Sequence, residues 1–242
     1  MKTEITTGHT NISYRIGDEF VQEKQFNGFN HKIDYHILSK FNFVPKLIEN
    51  KLDIIKWEFI EGKQPTLDFS NIELIAQQVK QIHDSKLSFP KSNHAARVKE
   101  YRRILKQKNR SVPVLEEYYR CVNLTLSKMD KTTPLHNDLW PFNMIQTNGK
   151  IFFVDWEYST LGDKHFELAY IIEAGNLRGD LETKFLNAYG NYNYIHLLRH
   201  KILVNYLVVL WVQTQTKPPF NTEEYEKRIY NYGNELKKLT NS

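Results

Sequence analysis

The stretch PLHNDLWPFNMIQTNGKIFFVDW, Pro134 to Trp156, decides how the rest of the chain is read, because its spacing demands chemistry rather than packing. His136 and Asp138 precede Asn143, two short apolar runs follow, and then Asp155. The runs from Asn143 to Thr147 and from Lys150 to Val154 read as strands. Asn148 and Gly149 join them, a pair that tolerates positive φ and favours a two-residue hairpin turn. Such a hairpin carries Asn143 and Asp155 to one open end, with Asp138 facing them across a short loop. Phosphoryl transfer needs a carboxylate beside the attacking hydroxyl and oxygen ligands for a Mg²⁺ that neutralises phosphate charge. His-x-Asp-x-x-x-x-Asn followed by Asp supplies that set. The bland alternative is a polar loop that happens to hold Asp and Asn beside a buried hairpin.

HNDLWPFN followed by VDWEYSTLGDKHFELA resembles the superfamily of choline/ethanolamine kinases, thiamine kinases and aminoglycoside phosphotransferases. In that superfamily the metal-binding Asp is followed by aromatic-Glu-Tyr. The resemblance implies an α+β, two-lobed protein-kinase-like fold with a small antiparallel-sheet N-lobe and a mainly helical C-lobe. It places the N-terminal nucleotide-binding lobe at residues 1–62, ending in a hinge, and the catalytic and substrate-binding lobe at 63–242.

The 242 residues suffice for one large domain or two lobes, and the 40% apolar content supports a sizeable core. A net charge of +5 could suit an anionic partner, but Lys and Arg are spread along the chain and mostly alternate with acids. The densest basic run, Arg97 to Arg110, is interleaved with Val98, Ile104 and Leu105 as a solvated helix face would be, so no nucleic-acid partner is expected. One cysteine, Cys121, excludes an internal disulfide and fits a reducing compartment. MKTEITTGHT holds no secretion-type apolar run, and Asn205 and Tyr206 interrupt the apolar stretch from Ile202 to Val212. A cytoplasmic protein with no membrane insertion and no obligatory protein partner is the expectation.

In chain order, Thr10 to Ile16 and Glu19 to Gln25 read as strands around Gly17 and Asp18. GHTNISY resembles the family's GG-x-[ST]-N-x-x-Y segment, which implies phosphate contacts from Thr10 and Asn11; an ordinary hairpin lead-in reads from the same residues. Ile33, Ile37, Leu38 and Phe41 have helical spacing. The kinase-like plan assigns Lys24 to the nucleotide phosphates and Asp34 to the helix carboxylate that pairs with it. A solvated helix Asp is the alternative for Asp34. Lys46 to Lys51 and Leu52 to Ile60 complete the sheet, and the resemblance puts the adenine-binding hinge at Trp57 to Gly62, with Trp57, Glu58, Phe59 and Ile60 against the base. Ser70 and Glu73 form a capping box for a helix that ends at His83, a residue read as capping or packing. One helix from Pro113 to Leu126 leads into the central stretch. Beyond Trp156 helices are expected over Lys164 to Ala174, Arg178 to Tyr189, Tyr194 to Gln215 and Thr222 to Leu239, the last capped by Asn221.

The resemblance implies ATP as phosphoryl donor with Mg²⁺ held by Asn143 and Asp155, and Asp138 as the catalytic carboxylate orienting an acceptor hydroxyl. His136 is expected to fix its own loop. The acceptor reads as a small cationic alcohol, because a cation seeks aromatic faces and carboxylates. Trp140, Tyr158, Glu173, Tyr206 and Trp211 are its candidate contacts. Choline ranks first, thiamine second and an aminoglycoside third, and an atypical protein kinase or an inactive nucleotide-binding module would be the readings from other classes.

Overall fold

In the computed structural model, which describes residues 2–5 and 11–240, β1 (Lys2–Ile5), β2 (Ile12–Ile16), β3 (Glu19–Glu23), β4 (Leu47–Asn50) and β5 (Ile54–Glu58) form an antiparallel sheet in the order β1-β2-β3-β5-β4. Gly17 adopts φ +61° in the turn between β2 and β3, a conformation that costs a residue without a Cβ little. Two of these elements differ from the expectation. β1 is an additional edge strand, and the helix expected around Asp34 is one short 3-10 segment, Tyr35–Lys40. Asp34 caps that segment by accepting the His36 N–H, so its carboxylate is spent locally.

Beyond the sheet the chain is mainly helical: α1 (Ile72–Asp84), α2 (His94–Gln107), α3 (Pro113–Glu117), α4 (Tyr119–Lys128), α5 (Lys164–Ala174), α6 (Asp180–Tyr189), α7 (Tyr194–Thr214) and α8 (Glu223–Thr240). Ser70 does not cap α1. Its amide and hydroxyl both donate to Asp68, and Asn71 holds the N-cap position without a side-chain cap bond. The helix expected from Pro113 breaks into α3 and α4 at Tyr118. Asn221 does cap α8, accepting the Glu223 N–H.

α7 is long and apolar enough to cross a membrane by composition, yet 72% of that window is buried inside the fold. It packs against α5, α8 and α2. Asn205, which interrupts its apolar run, is fully buried, and its amide nitrogen donates to Glu173 and to the Lys201 carbonyl within the core. α5 is buried on nearly every side and lies between α7 and a two-stranded ribbon, β6 (Thr133–Leu135) paired with β9 (Thr160–Gly162). The hairpin of β7 (Met144–Gln146) and β8 (Ile151–Phe153) pairs Met144 with Phe153, which sets Asn143 opposite Val154. The Val154 N–H donates to the Asn143 carbonyl.

The connection from β5 to α1 crosses this hairpin. Lys63 and Gln146 exchange two backbone hydrogen bonds, at 3.1 and 2.7 Å. Gly62 makes the crossing possible, since a Cβ there would lie 2.6 Å from the Gln146 carbonyl oxygen.

Candidate active site

Asp138, Asn143 and Asp155 converge, as the hairpin register requires, on one cavity of about 420 Å³ between the sheet and the helical part. Trp57, Glu58, Phe59 and Ile60 line it as well. The Asn143 amide donates to the Asp138 carbonyl and to Asp138 Oδ2 at 2.9 Å. Asp138 Oδ1 accepts a hydrogen bond from the Tyr170 hydroxyl, projected from α5. Burial pushes the Asp138 carboxyl up to about 6, against the Tyr170 and Asn143 hydrogen bonds and the Arg97 charge, which hold it down.

Asp155 follows β8 in a left-handed conformation, φ +62°, which turns its carboxylate back into the cavity. Its Oδ1 is buried without a hydrogen-bond partner among the described residues. Burial, then the neighbouring Glu157 and Asp138 charges, raise its pKa well above the usual carboxylate range, while the Gln22 side-chain amide opposes that shift. Glu157, 2% exposed, accepts hydrogen bonds from Asn11 and Asn30 and lies 2.9 Å from His31 Nε2. Three carboxylates thus crowd one space, and an orphaned buried anionic oxygen calls for a cation. An all-oxygen donor set of this kind fits Mg²⁺.

The loop that carries Asp138 is held from below by one buried residue. Glu167 on α5 accepts the backbone N–H groups of His136 and Asn137, at 3.2 and 2.7 Å, and lies 3.0 Å from His83 Nε2. His83 Nδ1 meets the Tyr189 hydroxyl, so His83 packs inside the fold rather than capping helix carbonyls. His136 Nδ1 accepts the Asp138 N–H, and Nε2 therefore carries the proton that it donates to the Val154 carbonyl. Burial lowers the His136 pKa, so the ring stays neutral, and its two hydrogen bonds tie the loop to Val154. Asn137, at φ +71°, donates to the Tyr158 carbonyl and the Thr160 hydroxyl, locking the loop to β9.

Several expected residues stand elsewhere. Lys24 lies one residue past β3 and donates to Asn50 Oδ1 and the Lys51 carbonyl at the sheet's edge. Phe20 and Gln22 are the β3 residues that line the cavity, and Lys63, across from Gln146, is the cation among the described lining residues. No ion pair joins Lys24 to Asp34 among the described residues; the 3-10 segment leaves Asp34 capping its own turn. Asn11 donates to Glu157 and accepts the Gln25 N–H instead of standing free for phosphate. Thr10 falls outside the described residues.

Of the acceptor candidates, Trp140 lines the cavity; Tyr158 follows the lining residue Glu157 and accepts a hydrogen bond from Asn27. Glu173, Tyr206 and Trp211 are not brought to the cleft. Glu173 is buried among Arg178, Arg228, Asn205 and Tyr232, where it ties α5 to α7 and α8. Tyr206 is fully buried and donates to the Leu115 carbonyl while accepting from Arg102. Trp211 packs against Phe220. Conversely, Arg97 departs from the solvated face expected of α2: its guanidinium lies 5.0 Å from the Tyr158 ring centre and 6.0 Å from that of Tyr101. Tyr170, Glu157, Gln22 and Arg97 were not assigned from sequence. Strand alternation from Val21 would have found Gln22, and the i, i+3 spacing from Glu167 would have found Tyr170.

Comparison with known proteins accords with this geometry. The phosphotransferase enzyme family matches residues 35–201. The chain is 51% identical over 241 residues to the LicA homologue of Mycoplasma capricolum, with 100% of each chain covered. It is 41% identical over 226 residues to the LicA homologue of Metamycoplasma hominis, covering 91% of each. Among solved structures, choline kinase LicA from Streptococcus pneumoniae superposes with a TM-score of 0.73 at 20% identity, over 97% of this chain and 92% of the other. The matched family spans Asp138, Asn143, Asp155 and the α5 helix that supports them, and the chain belongs to the phosphotransferase enzyme family.

Proposed function

We propose that this protein transfers the γ-phosphoryl group of Mg·ATP to the hydroxyl of a small cationic alcohol, with choline as the acceptor. The observation that carries the reaction type is the convergence of Asp138, Asn143 and Asp155 on a cavity that the Trp57 to Ile60 segment also lines. The acceptor class rests on the LicA-homologue relatives and on Trp140, an aromatic residue that lines the cavity with Asp138 and Asp155.

Backbone groups of the 57–60 segment would take the adenine edge, in a wall where Trp57 and Phe59 supply apolar surface. Asp155 and the Asn143 side-chain oxygen would hold Mg²⁺, with Glu157 beside them. That ion would supply positive charge where the transferring phosphates carry negative charge. Asp138 aligns the acceptor: the Tyr170 phenol already shows that Oδ1 takes an O–H donor, so an alcohol arriving there would be oriented in the same way. The carboxylate holds that proton at Oδ1 as the new ester bond forms. A loose transition state asks for alignment more than for a strong base, so a carboxyl near 6 suffices. His136 keeps the loop in register and takes no proton.

ADP release from Mg·ATP, measured with choline, ethanolamine, thiamine, kanamycin and a generic protein substrate in parallel, tests this reading. Choline-dependent turnover is expected, and it should vanish in Asp138→Ala while nucleotide affinity stays within a few fold. Turnover on the protein substrate alone would overturn the small-molecule assignment; turnover on thiamine or kanamycin alone would keep the reaction and replace the acceptor.

A further inference from the structure

The sheet brings no lysine or arginine to the cavity among its described residues. β3 presents Phe20 and Gln22, both neutral, and Lys24 is committed at the sheet edge to Asn50 and the Lys51 carbonyl. Lys63, the lining cation, belongs to the exposed connection beyond the 57–60 segment. A phosphoryl group in transfer spreads negative charge over three equatorial oxygens, and catalysis rests on donors already aimed at them.

α2 brings a cation to the other side of Asp138. His94 and Arg97 are three residues apart, so they share one helix face. The Asn137 amide donates to the Tyr158 carbonyl at 3.0 Å, which leaves Asn137 Oδ1 as the acceptor for His94 Nε2 at 2.9 Å. His94 is fully buried, so this bond fixes the start of α2 against the residue that precedes Asp138. The Arg97 guanidinium lies 5.0 Å from the Tyr158 ring centre and 6.0 Å from that of Tyr101, and its charge acts on both Asp138 and the Tyr170 phenol.

This guanidinium is not a simple counter-ion. Asp138 Oδ1 is already taken by Tyr170 and Oδ2 by Asn143, and no ion pair joins Arg97 to Asp138 among the described residues. Arg97 Nε is buried without a hydrogen-bond partner among those residues. An unmet donor on a charged group inside a protein is costly, so it marks a place where an acceptor atom belongs. A cationic alcohol gains nothing from a second cation beside Asp138. A phosphoryl oxygen does, and the planar fork of arginine suits it.

We infer that Arg97 is a further catalytic residue, whose guanidinium donates to a non-bridging oxygen of the phosphoryl group as that group passes to the acceptor held at Asp138. This rests on the phosphoryl transfer proposed above and adds the group that meets the moving charge. The bond from the acceptor oxygen to the γ-phosphorus forms, the bond from that phosphorus to the bridging oxygen breaks, and ADP leaves with the electron pair. The hydroxyl proton goes to Asp138 Oδ1. Arg97 keeps its own protons throughout.

The test compares the full-length parent with Arg97→Gln by titration with Mg·ADP, alone and with aluminium fluoride, which imitates the flat transferring group and is read without an acceptor. The parent should bind the fluoride complex more tightly than Mg·ADP. In Arg97→Gln that gain should fall at least about tenfold, while the Kd for Mg·ADP stays within a few fold. kcat with choline should drop at least about 10²-fold. Arg97→Ala should regain turnover on addition of guanidinium chloride and not of sodium chloride at equal ionic strength, a rescue that a purely structural role would not give. A gain kept intact in Arg97→Gln, or a kcat loss matched by an equal loss of Mg·ADP binding and without guanidinium rescue, would overturn the assignment of Arg97 alone. A parent that turns over no choline, yet shows a fluoride gain that Arg97→Gln loses, would support Arg97 and replace the acceptor. No fluoride gain in the parent would overturn both readings.

Discussion

Asp138 is ionised only at a cost, since its carboxyl is buried and takes two hydrogen bonds from neutral donors. Its pKa, raised to about 6, gives a signed expectation. The folded enzyme binds this proton more tightly than the unfolded chain, so the group favours the fold at low pH and that contribution fades as pH rises through about 6. The active form appears over the same interval. log(kcat/KM) should therefore climb with unit slope below about 6 and level off above it, in initial-rate measurements across pH 5 to 8. Asp138→Asn should lower kcat by about 10²–10⁴ and abolish that limb, while nucleotide Kd changes little. At this scale the geometry was legible: residue type and separation at 138, 143 and 155 were enough to place the oxygen cluster. Glu157 and Tyr170 were not, because their part depends on which face of a turn or helix meets the loop.

Among the elements, the crossing of the β5–α1 connection over β7 is the most exacting. Gly62→Ala would push a methyl against the Gln146 carbonyl and the Ile145 side chain. Overpacking of that kind costs about 1–3 kcal/mol. The variant should show a lower Tm and a nucleotide Kd at least several-fold weaker, read by thermal melts and by titration with ADP; a normal Kd would remove the connection from the binding wall. Strand and helix types were mostly legible, since hairpin turns and apolar periods are local signals. Phase was the weak point. β3 ends at Glu23, so the lysine that the kinase-like plan assigns, Lys24, swings to the sheet edge while Gln22 faces the cavity. The Ile33 to Phe41 pattern likewise looked helical, yet His31, at φ +54°, donates its backbone N–H to the Glu157 carbonyl, which holds the chain extended and leaves room for a 3-10 segment only.

At the scale of the whole molecule, a cavity lined by sheet and helical part alike makes ligand binding and folding one equilibrium. Mg·ADP at about 100 times its Kd should add about 2.7 kcal/mol, or roughly 5–11 °C in Tm at this chain length. Asp155→Asn should lose most of that gain in the same melts, and a full shift in that variant would deny Asp155 its metal role. What no local pattern disclosed was the use of α5 as a common post. Its N-cap faces the histidines of α7, its middle holds the 136–138 loop through Glu167 and Tyr170, and its end anchors α8 through Glu173 and Arg228. With every third or fourth side chain moored to a different partner, α5 has no way to fray alone. Its amides should exchange with deuterium only when the helical part opens as a unit, whereas those of the edge strand β1 should label early and independently.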